Sequence, residues 1–370
     1  MTQKASFIIR DYRPSDEDQF AEVYAAVYGA HGLKDWQDRR QWQFQENPAT
    51  RDLPSRLWVA TIADAVVGFL GAFPVRYKFG DREQTIRHPC DLLAAEAARG
   101  MGLGRALIAH YVADCDTLST ALVYAPYTVR IYEALGFTPL NVHPQYLRPY
   151  SVTGMLGLKP STGSPSKGLS HSMRSVAAGG ATVLARGVNA LRRPKADPRV
   201  HVSGLSSATE DFDTLWRQLA PRFTHVGVRD RAFVQWRFFQ DPLSKHHVFL
   251  ARDGSGDPLG YAAVRNIQRR GATVTQLMDL FCDPGDHRTA RSLLSAACGH
   301  AERHASAAIT CMGLHPSLRR ITRRYLYAPR PGGQLPAMLL WHGDPAAAAA
   351  VYDADQWHLS NADGDEAFTP

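Results

Sequence analysis

The sequence predicts an α/β protein of the α+β kind, made of two tandem domains of similar design. Three observations predict it. A strand-like run from Cys90 to Ala95 leads into a glycine-rich turn and a helical pattern. The order of motifs in the first half returns in the second, and a stretch rich in serine, glycine and proline separates the halves. The length agrees, because 370 residues suffice for about two domains with separate cores.

The composition is that of an ordinary globular chain, with 21% charged and 45% hydrophobic residues. No apolar run approaches the roughly 20 residues that span a bilayer, and Met1 to Ser6 has no signal-peptide core. We therefore expect a cytoplasmic protein. The five cysteines form no C-x-x-C pair, which predicts reduced thiols and no metal site.

Residues 1–150 are assigned to the first domain. Phe7–Arg10 is predicted to be a strand, and Ser15 or Asp16 is predicted to cap the helix that follows. Leu57–Ile62 and Val66–Ala72 alternate as a strand pair does. The run from Leu140 to Tyr150 is expected to supply the closing strands of this half.

The glycine-rich turn is predicted to bind an anion. It reads Arg99-Gly100-Met101-Gly102-Leu103-Gly104-Arg105 and opens a helix. Glycines let the backbone approach a ligand closely, and the free N–H groups of a helix N-terminus favour negative charge. A plain tight turn is the alternative. The stretch lacks the Gly-Lys-Ser/Thr of a nucleotide P-loop and the strict spacing of the dinucleotide motif.

A second signal lies about thirty residues downstream of the turn. Ile131 and Leu135 line one face of a short helical pattern, and Gly136 suits the position after its last residue. A strand is predicted to begin at Phe137.

Together the two stretches resemble the GNAT superfamily of N-acetyltransferases over roughly residues 6–148. The family's Arg/Gln-x-x-Gly-x-Gly/Ala signature maps onto Arg99, Gly102 and Gly104, and its Tyr-Glu-x-x-Gly-Phe signature onto Tyr132, Glu133, Gly136 and Phe137. The resemblance implies a mixed, mostly antiparallel twisted sheet flanked by helices in each half. One departure is Ala125, where many members have an asparagine that contacts the cofactor.

The resemblance implies acyl-CoA as co-substrate and an amine as acceptor. The pyrophosphate would lie on the N–H groups of residues 99–105, and the pantetheine arm along Leu92, Leu93 and Ala94. Tyr132 is implied as the acid for the leaving thiolate, with a core tyrosine as the alternative. For the base, Asp91 and Glu96 are the candidates and His88 is third. A carboxylate with a purely structural role is the alternative for Asp91, because Asp279 stands at the matching place in the second half.

Residues 151–199 are assigned to a basic linker, in which Leu169–Arg193 has near-helical apolar spacing. Eight basic side chains stand there against one acid, Asp197, and this excess equals the net charge of +7 of the whole chain. A basic amphipathic stretch over residues 159–199 suits an anionic membrane surface, which favours peripheral membrane association. A helix packed across the two halves is the alternative. We expect no nucleic-acid binding, because no aromatic residues interleave with the charges.

Residues 200–344 are assigned to a degenerate second copy of the first domain, and residues 345–370 to an acidic tail. Trp236-Arg237-Phe238 echoes Trp42-Gln43-Phe44. Where the glycine turn should recur, the chain has Asp283 and Asp286, whose charge would repel a pyrophosphate. The tail is expected at the surface or without order.

The sequence thus predicts an acyl-CoA-dependent N-acyltransferase that acts on a primary amine. Duplicated folds of this kind resemble mycothiol synthase, N-myristoyltransferase, the Fem peptidyltransferases and bacterial ceramide synthases. The basic segment favours a long-chain donor or a sphingoid-type lipid amine. The alternatives are acetyl transfer to a small soluble amine, Fem-like aminoacyl transfer, and a non-catalytic protein that binds acyl-CoA or lipid.

Overall fold

Three β-sheets with helices on their faces form the fold. The computed structural model describes residues 6–122, 126–140, 144–157, 169–334 and 337–364. Within these ranges the sheets are mixed and mostly antiparallel, and the predicted α/β class is confirmed.

The first half begins with a strand and a long helix and continues through a hairpin into the helix that follows the glycine turn. Its strands are β1 Ile8–Asp11, β2 Arg56–Ile62, β3 Ala65–Phe79, β4 Arg82–Ala94, β5 Leu118–Leu122, β6 Thr138–Leu140 and β7 Pro144–Pro149; its helices are α1 Glu17–Phe44, α2 Leu103–Ala113 and α3 Pro126–Glu133.

The remainder repeats this order after two helices, α4 Val152–Met155 and α5 Leu169–Leu191. Its strands are β8 His201–Leu205, β9 His225–Gly227, β10 His246–Arg252, β11 Pro258–Arg269, β12 Ala272–Cys282, β13 Ala308–Cys311, β14 Ala328–Gln334, β15 Ala337–Trp341 and β16 Trp357–His358; its helices are α6 Asp211–Leu219, α7 Arg231–Val234, α8 His287–Arg303, α9 Pro316–Tyr325 and α10 Pro345–Val351.

The long strand β3 is the centre of the first sheet. It forms the predicted strand pair with β2, and the hairpin turns at Ala63 and Asp64, which have positive φ and leave Ile62 opposite Ala65. Along its other edge β3 pairs with β4 from Gly68 to Phe79. The second half adds β9 beside the far end of β3, and β16 beside β9.

The two halves exchange strands. The second-half strand β15 lies between β5 and β6 of the first half. In return β7 lies between β13 and β14 of the second half, within a seven-stranded sheet. The segment from Pro144 to Pro149 was expected to close the first half, and the structure places it in the other sheet instead. A local pattern of apolar residues can indicate a strand, but it carries no information on which distant partner the strand will take.

The repeated tryptophan motifs meet where the halves face each other. The rings of Trp42 and Trp236 stack with centroids 4.7 Å apart and planes 19° from parallel. Each indole Nε1–H donates to the backbone carbonyl of the other tryptophan, at 2.9 Å in both directions. Such a reciprocal contact is typical of an approximate two-fold axis, here between two copies within one chain.

Helix α5 occupies most of the basic linker and leaves an apolar stripe on its outer side. Arg148 of β7 holds its end by donating hydrogen bonds to the carbonyls of Asn189 and Arg192, at 2.7 and 2.9 Å. The exposed stripe consists of Val176, Val183, Leu184 and Leu191, which are 68–89% exposed. Lys159 and Lys167 of the linker lie outside the described residues. Among the helices described, none is long and apolar enough to cross a membrane.

The last described part of the acidic tail, which was expected at the surface, is buried in the molecule. Residues 357–364 are buried, and Asp363 forms an ion pair of 2.7 Å with Arg229. Arg237 also donates hydrogen bonds to the tail carbonyls of Ala362 and Gly364, at 3.1 and 2.9 Å. Residues 365–370 lie outside the described part.

Candidate functional site

The glycine turn presents an uncapped helix N-terminus. Gly100 and Gly102 have φ values of 78° and 80°, in the left-handed region that favours glycine. Gly102 occupies the N-cap position of α2 and has no side chain to accept from the helix. Ala106 is the first residue whose N–H bonds within the helix, to the carbonyl of Gly102. The earlier N–H groups of the first turn therefore point outward, at the positive end of the helix dipole.

The close packing of α2 on the sheet fixes this turn in place. Leu103 is 2% exposed and lies against Gly68 of β3. A Cβ atom at Gly68 would lie 2.7 Å from a methyl group of Leu103, so any larger residue would force the Leu103 side chain to move. Arg99 and Arg105 are exposed beside the turn, and Met101 is half-buried.

An open seam runs between β4 and β5 next to α2. No ladder joins these two strands in the part of the chain that is described. The hydroxyl of Tyr111, from α2, lies between them instead, 2.9 Å from the carbonyl of Arg87 and 3.0 Å from the N–H of Thr120. Its hydrogen bonds to these two strands could not be inferred from the helical spacing.

The predicted pantetheine-binding segment lies along the free edge of β4. Leu93 pairs with Phe69 of β3 and is buried, whereas Leu92 and Ala94 are half-buried. The carbonyl of Leu92 accepts a hydrogen bond of 3.1 Å from the Tyr28 hydroxyl.

Asp91 lies at a β-bulge in β4. Its φ is 56°, and the register with β3 shifts between Cys90 and Leu93. One carboxylate oxygen, Oδ1, is 2.5 Å from Arg39 and 3.0 Å from the hydroxyl of Tyr24, both on α1. Oδ2 is buried and has no hydrogen-bond partner among the described residues. Asp91 therefore joins α1 to the bulge and keeps one oxygen available.

The other two predicted catalytic residues have different environments. Tyr132 is 4% exposed and packs in the same core as α2, with its ring edge-on to Phe137 at 4.8 Å. Glu96 follows β4 and has a side chain that is 88% exposed, 3.7 Å from Arg99. The structure thus joins Asp91, the strand edge, the glycine turn and the Tyr132 helix in one region, and Glu96 faces solvent at its border. Ala125 lies outside the described residues.

A cleft between the halves opens on the same sheet. About 30 Å³ of it is open to a water-sized sphere. Its apolar walls include Phe73, Val75 and Trp236, and its polar groups include Arg76 and Asp230, which form an ion pair of 2.5 Å. A mostly apolar cleft with a few charged groups is typical of a small-molecule site.

His88 connects this cleft with the seam. It lies opposite Phe73 of the cleft, and its ring lines a small adjoining cavity with Thr120 of β5 and Asp363 of the tail. His88 is 2% exposed, and neither ring nitrogen has a hydrogen-bond partner in the part of the chain described. Burial lowers the pKa of His88 to about 4, although the charge of Asp363 acts to raise it. The imidazole is therefore neutral at neutral pH.

The matching place in the second half is closed. Asp286 caps α8, and its Oδ1 accepts from the N–H groups of Arg288 and Thr289, at 3.0 and 3.2 Å. The strands β12 and β13 form a parallel ladder from Val274 to Leu277, whereas no ladder joins β4 and β5 in the described residues. Asp279, the counterpart of Asp91, is fully buried in an ion pair of 2.7 Å with Arg229.

Comparison with known proteins identifies the first-half region. Residues 54–139 match the model of the Acetyltransferase (GNAT) domain. The chain contains a GNAT domain. No curated protein matches the chain in sequence.

Solved structures show that the GNAT fold extends over nearly the whole chain. A GCN5-related N-acetyltransferase from Anabaena variabilis is similar over 91% of this chain and 73% of its own, with a TM-score of 0.58 and 13% identity. N-myristoyltransferase of Saccharomyces cerevisiae with bound myristoyl-CoA is similar over 92% and 84%, with a TM-score of 0.55 and 13% identity. A tandem GNAT protein from the clavulanic acid biosynthesis pathway is similar over 92% and 99%, with a TM-score of 0.55 and 15% identity. At these identities the likeness shows the fold, and the tandem neighbour agrees with the two-domain layout.

Proposed function

We propose that this protein is an acyl-CoA-dependent N-acyltransferase whose first half binds the thioester and whose central cleft admits the amine. The observation that carries the proposal is the uncapped N-terminus of α2 beside the open seam between β4 and β5. The turn offers backbone donors to a pyrophosphate, and the free edge of β4 offers hydrogen bonds to an amide-containing arm. In the second half Asp286 already caps the corresponding helix, so one donor site per chain is expected.

The chemistry is the transfer of an acyl group from sulfur to nitrogen. The amine nitrogen forms a bond to the thioester carbonyl carbon, the carbon–sulfur bond breaks, and the sulfur leaves as a thiolate that takes up a proton. A base on the protein accepts the proton that the nitrogen loses. The protein's main contribution is to hold amine and thioester in contact, because the thiolate is already a good leaving group.

The contacts favour His88 as the group that accepts the amine proton. Its neutral ring has no partner among the described residues and lies between the cleft and the seam. Burial opposes the imidazolium that proton transfer would form and lowers the pKa of His88 to about 4, and the charge of Asp363 offsets part of that cost. Asp91 stays a candidate through its unpartnered Oδ2, and Glu96 through a water chain from the surface. Tyr132 stays the candidate acid for the thiolate.

Steady-state kinetics with a panel of primary amines tests this assignment. His88→Gln and Tyr132→Phe are each expected to lower kcat by roughly tenfold or more while coenzyme A affinity stays unchanged. Asp91→Asn and Glu96→Gln are compared in the same assay. If one of these carboxylate variants loses turnover while His88→Gln keeps it, that carboxylate is the base and His88 is not. If the wild-type protein binds coenzyme A but acylates no amine, the non-catalytic alternative replaces the proposal.

We propose further that the acceptor is a lipid amine met at an anionic membrane surface, with a long-chain thioester as donor. The exposed stripe of α5 ends at Leu191, beside a strongly basic groove. Five arginines line this groove: Arg192, Arg193, Arg320, Arg323 and Arg324. An apolar stripe next to clustered arginines matches the interface of an anionic bilayer, at roughly 1 kcal/mol per basic residue near the surface.

Co-sedimentation with vesicles tests the membrane proposal. The protein is expected to bind vesicles that contain anionic lipid at low salt, and to bind less in high salt. Val183→Ser and Leu191→Ser should weaken binding, whereas the control Ile8→Ser, which removes a side chain 67% exposed on β1, should not. Absence of binding at low salt, or equal loss in all three variants, would leave a soluble amine and a short donor as the better assignment.

A further inference from the structure

Three histidines of the second half meet at one end of α8. His247 lies on β10, and His300 and His304 are one helical turn apart at the end of α8. One nitrogen from each of the three lies within 4.8 Å of the others. The rings of His300 and His304 stack at 4.1 Å, and those of His247 and His300 are 4.5 Å apart.

The nitrogens of this cluster are set for a ligand. His300 is 2% exposed, and its Nε2 has no hydrogen-bond partner in the described part of the chain. An unpaired buried nitrogen is unfavourable, so a partner for it would stabilise the fold. Nδ1 of His304 is 2.9 Å from the carbonyl of His300. A carbonyl can only accept, so Nδ1 donates and Nε2 of His304 keeps its lone pair outward, as second-sphere hydrogen bonds arrange it in metal sites.

We propose that His247, His300 and His304 bind a divalent transition-metal ion, for which Zn²⁺ is the best fit. Three imidazoles and a water molecule complete the four-coordinate shell that zinc prefers. Hard cations such as Mg²⁺ and Ca²⁺ are excluded by the lack of oxygen ligands in this set.

The charges around the three histidines both oppose and favour a bound cation. Burial lowers the pKa of His247, and the charges of His304, Lys245 and Arg303 lower it further; the two basic side chains also oppose a dication. The C-terminal end of α8, where His300 and His304 lie, carries partial negative charge and favours one. Burial lowers the pKa of His300 to about 4, with the fields of His247 and His304 adding to it.

The bound ion would fasten the end of α8 to β10. Among the described residues, no other group of three histidine, cysteine or carboxylate side chains comes close enough to share an ion, so the described part of the first half has no counterpart. His110 of α2 packs on Trp58 instead, with ring centroids 5.5 Å apart. The site belongs to the second half alone, and its occupancy does not depend on acyl transfer.

Zinc titration of the full-length protein after treatment with a chelator tests the proposal. The wild-type protein is expected to bind one Zn²⁺ per chain and to unfold at a higher temperature when zinc is added. His304→Ala and His247→Ala should each weaken zinc binding by at least about tenfold. The control His201→Ala, which removes an exposed histidine of β8 outside the cluster, should bind zinc as the wild type does.

Thermal unfolding in chelator shows whether each variant keeps the metal-free fold, and His304 is exposed, so its replacement leaves the core intact. Absence of saturable zinc binding by the wild-type protein would overturn the proposal. Unchanged binding by folded His304→Ala would overturn it equally. Neither result would bear on the acyltransferase proposal, which rests on the first half.

Discussion

The helix that follows β4 in the first half and the helix that follows its counterpart β12 in the second half begin in opposite ways. Helix α2 starts at Gly102, with free N–H groups and an open seam between the neighbouring strands. Helix α8 starts at Asp286, whose carboxylate accepts from two of its N–H groups, and the strands beside it are paired in a ladder. In α8 the protein's own carboxylate occupies the position where α2 is open to an external anion. One fold thus supports a binding site in one copy and a closed, stabilising element in the other.

The stacked tryptophans test whether the two copies are equivalent at their contact. Trp42→Ala and Trp236→Ala should each lower the free energy of unfolding by about 3–5 kcal/mol, because each removes a buried ring and its reciprocal hydrogen bond. Denaturant unfolding measures both. The losses should be similar, and the double variant should lose less than their sum. Losses that differ severalfold would show that the contact is not symmetric, and losses that add fully would show that the two rings are not coupled.

Gly102→Asp makes the open helix resemble the capped one. The new carboxylate would occupy the N–H groups and repel pyrophosphate; two unit charges about 4 Å apart near a surface repel by about 4 kcal/mol. Coenzyme A should therefore bind at least about a hundredfold more weakly, as measured by calorimetry. Gly102→Asn, which tolerates the same backbone conformation without the charge, is the matched control. Equal losses in the two variants would assign the effect to backbone strain and not to charge.

The dependence of stability on pH compares one buried histidine from each half. Burial lowers the pKa of His88 in the first half and of His246 in the second to about 4. In the unfolded chain both titrate near 6.5, so the unfolded state takes up protons first as the pH falls. The free energy of unfolding should therefore decrease between about pH 6.5 and pH 4, by up to about 3 kcal/mol for each histidine. His88→Gln and His246→Gln should each flatten this slope in urea unfolding series. A slope that neither variant changes would contradict the assignment.

Asp286→Ala removes the cap that distinguishes α8. Loss of an N-cap side chain costs about 1 kcal/mol of stability. The variant should gain no second coenzyme A site in the second half, because β12 and β13 remain paired. Thermal unfolding and calorimetry measure the two effects. If this variant gained a second coenzyme A site, a free helix N-terminus would suffice for binding, and an open seam between the strands would not be required.

The parts of the fold that follow from local patterns could be predicted. The hairpin of β2 and β3, the glycine turn with α2, and the echo of Trp42 by Trp236 all lie in short stretches with their own spacing. The exchange of β7 and β15 could not, because strand partners hundreds of residues apart leave no local mark. The capping role of Asp286 was only partly foreseen, since the sequence showed an acid where a phosphate would bind but not its hydrogen bonds.

The residues of the candidate site likewise divide into those that the sequence could predict and those that it could not. The turn and the strand edge were predicted from motif and resemblance, and their roles in binding remain predictions. Tyr111, the position of Asp363 beside His88, and the three-histidine cluster were missed because each depends on contacts between residues far apart in sequence. The expectation of no metal rested on cysteine spacing alone, which says nothing about histidines from a strand and a helix that meet only after folding.

The number of coenzyme A molecules bound per chain tests the central claim most directly. Isothermal titration of the wild-type protein with coenzyme A should give one site per chain, because α2 is open and α8 is capped. Two sites per chain would show that the second half is not closed. No detectable site would contradict the assignment of the glycine turn as the donor-binding element.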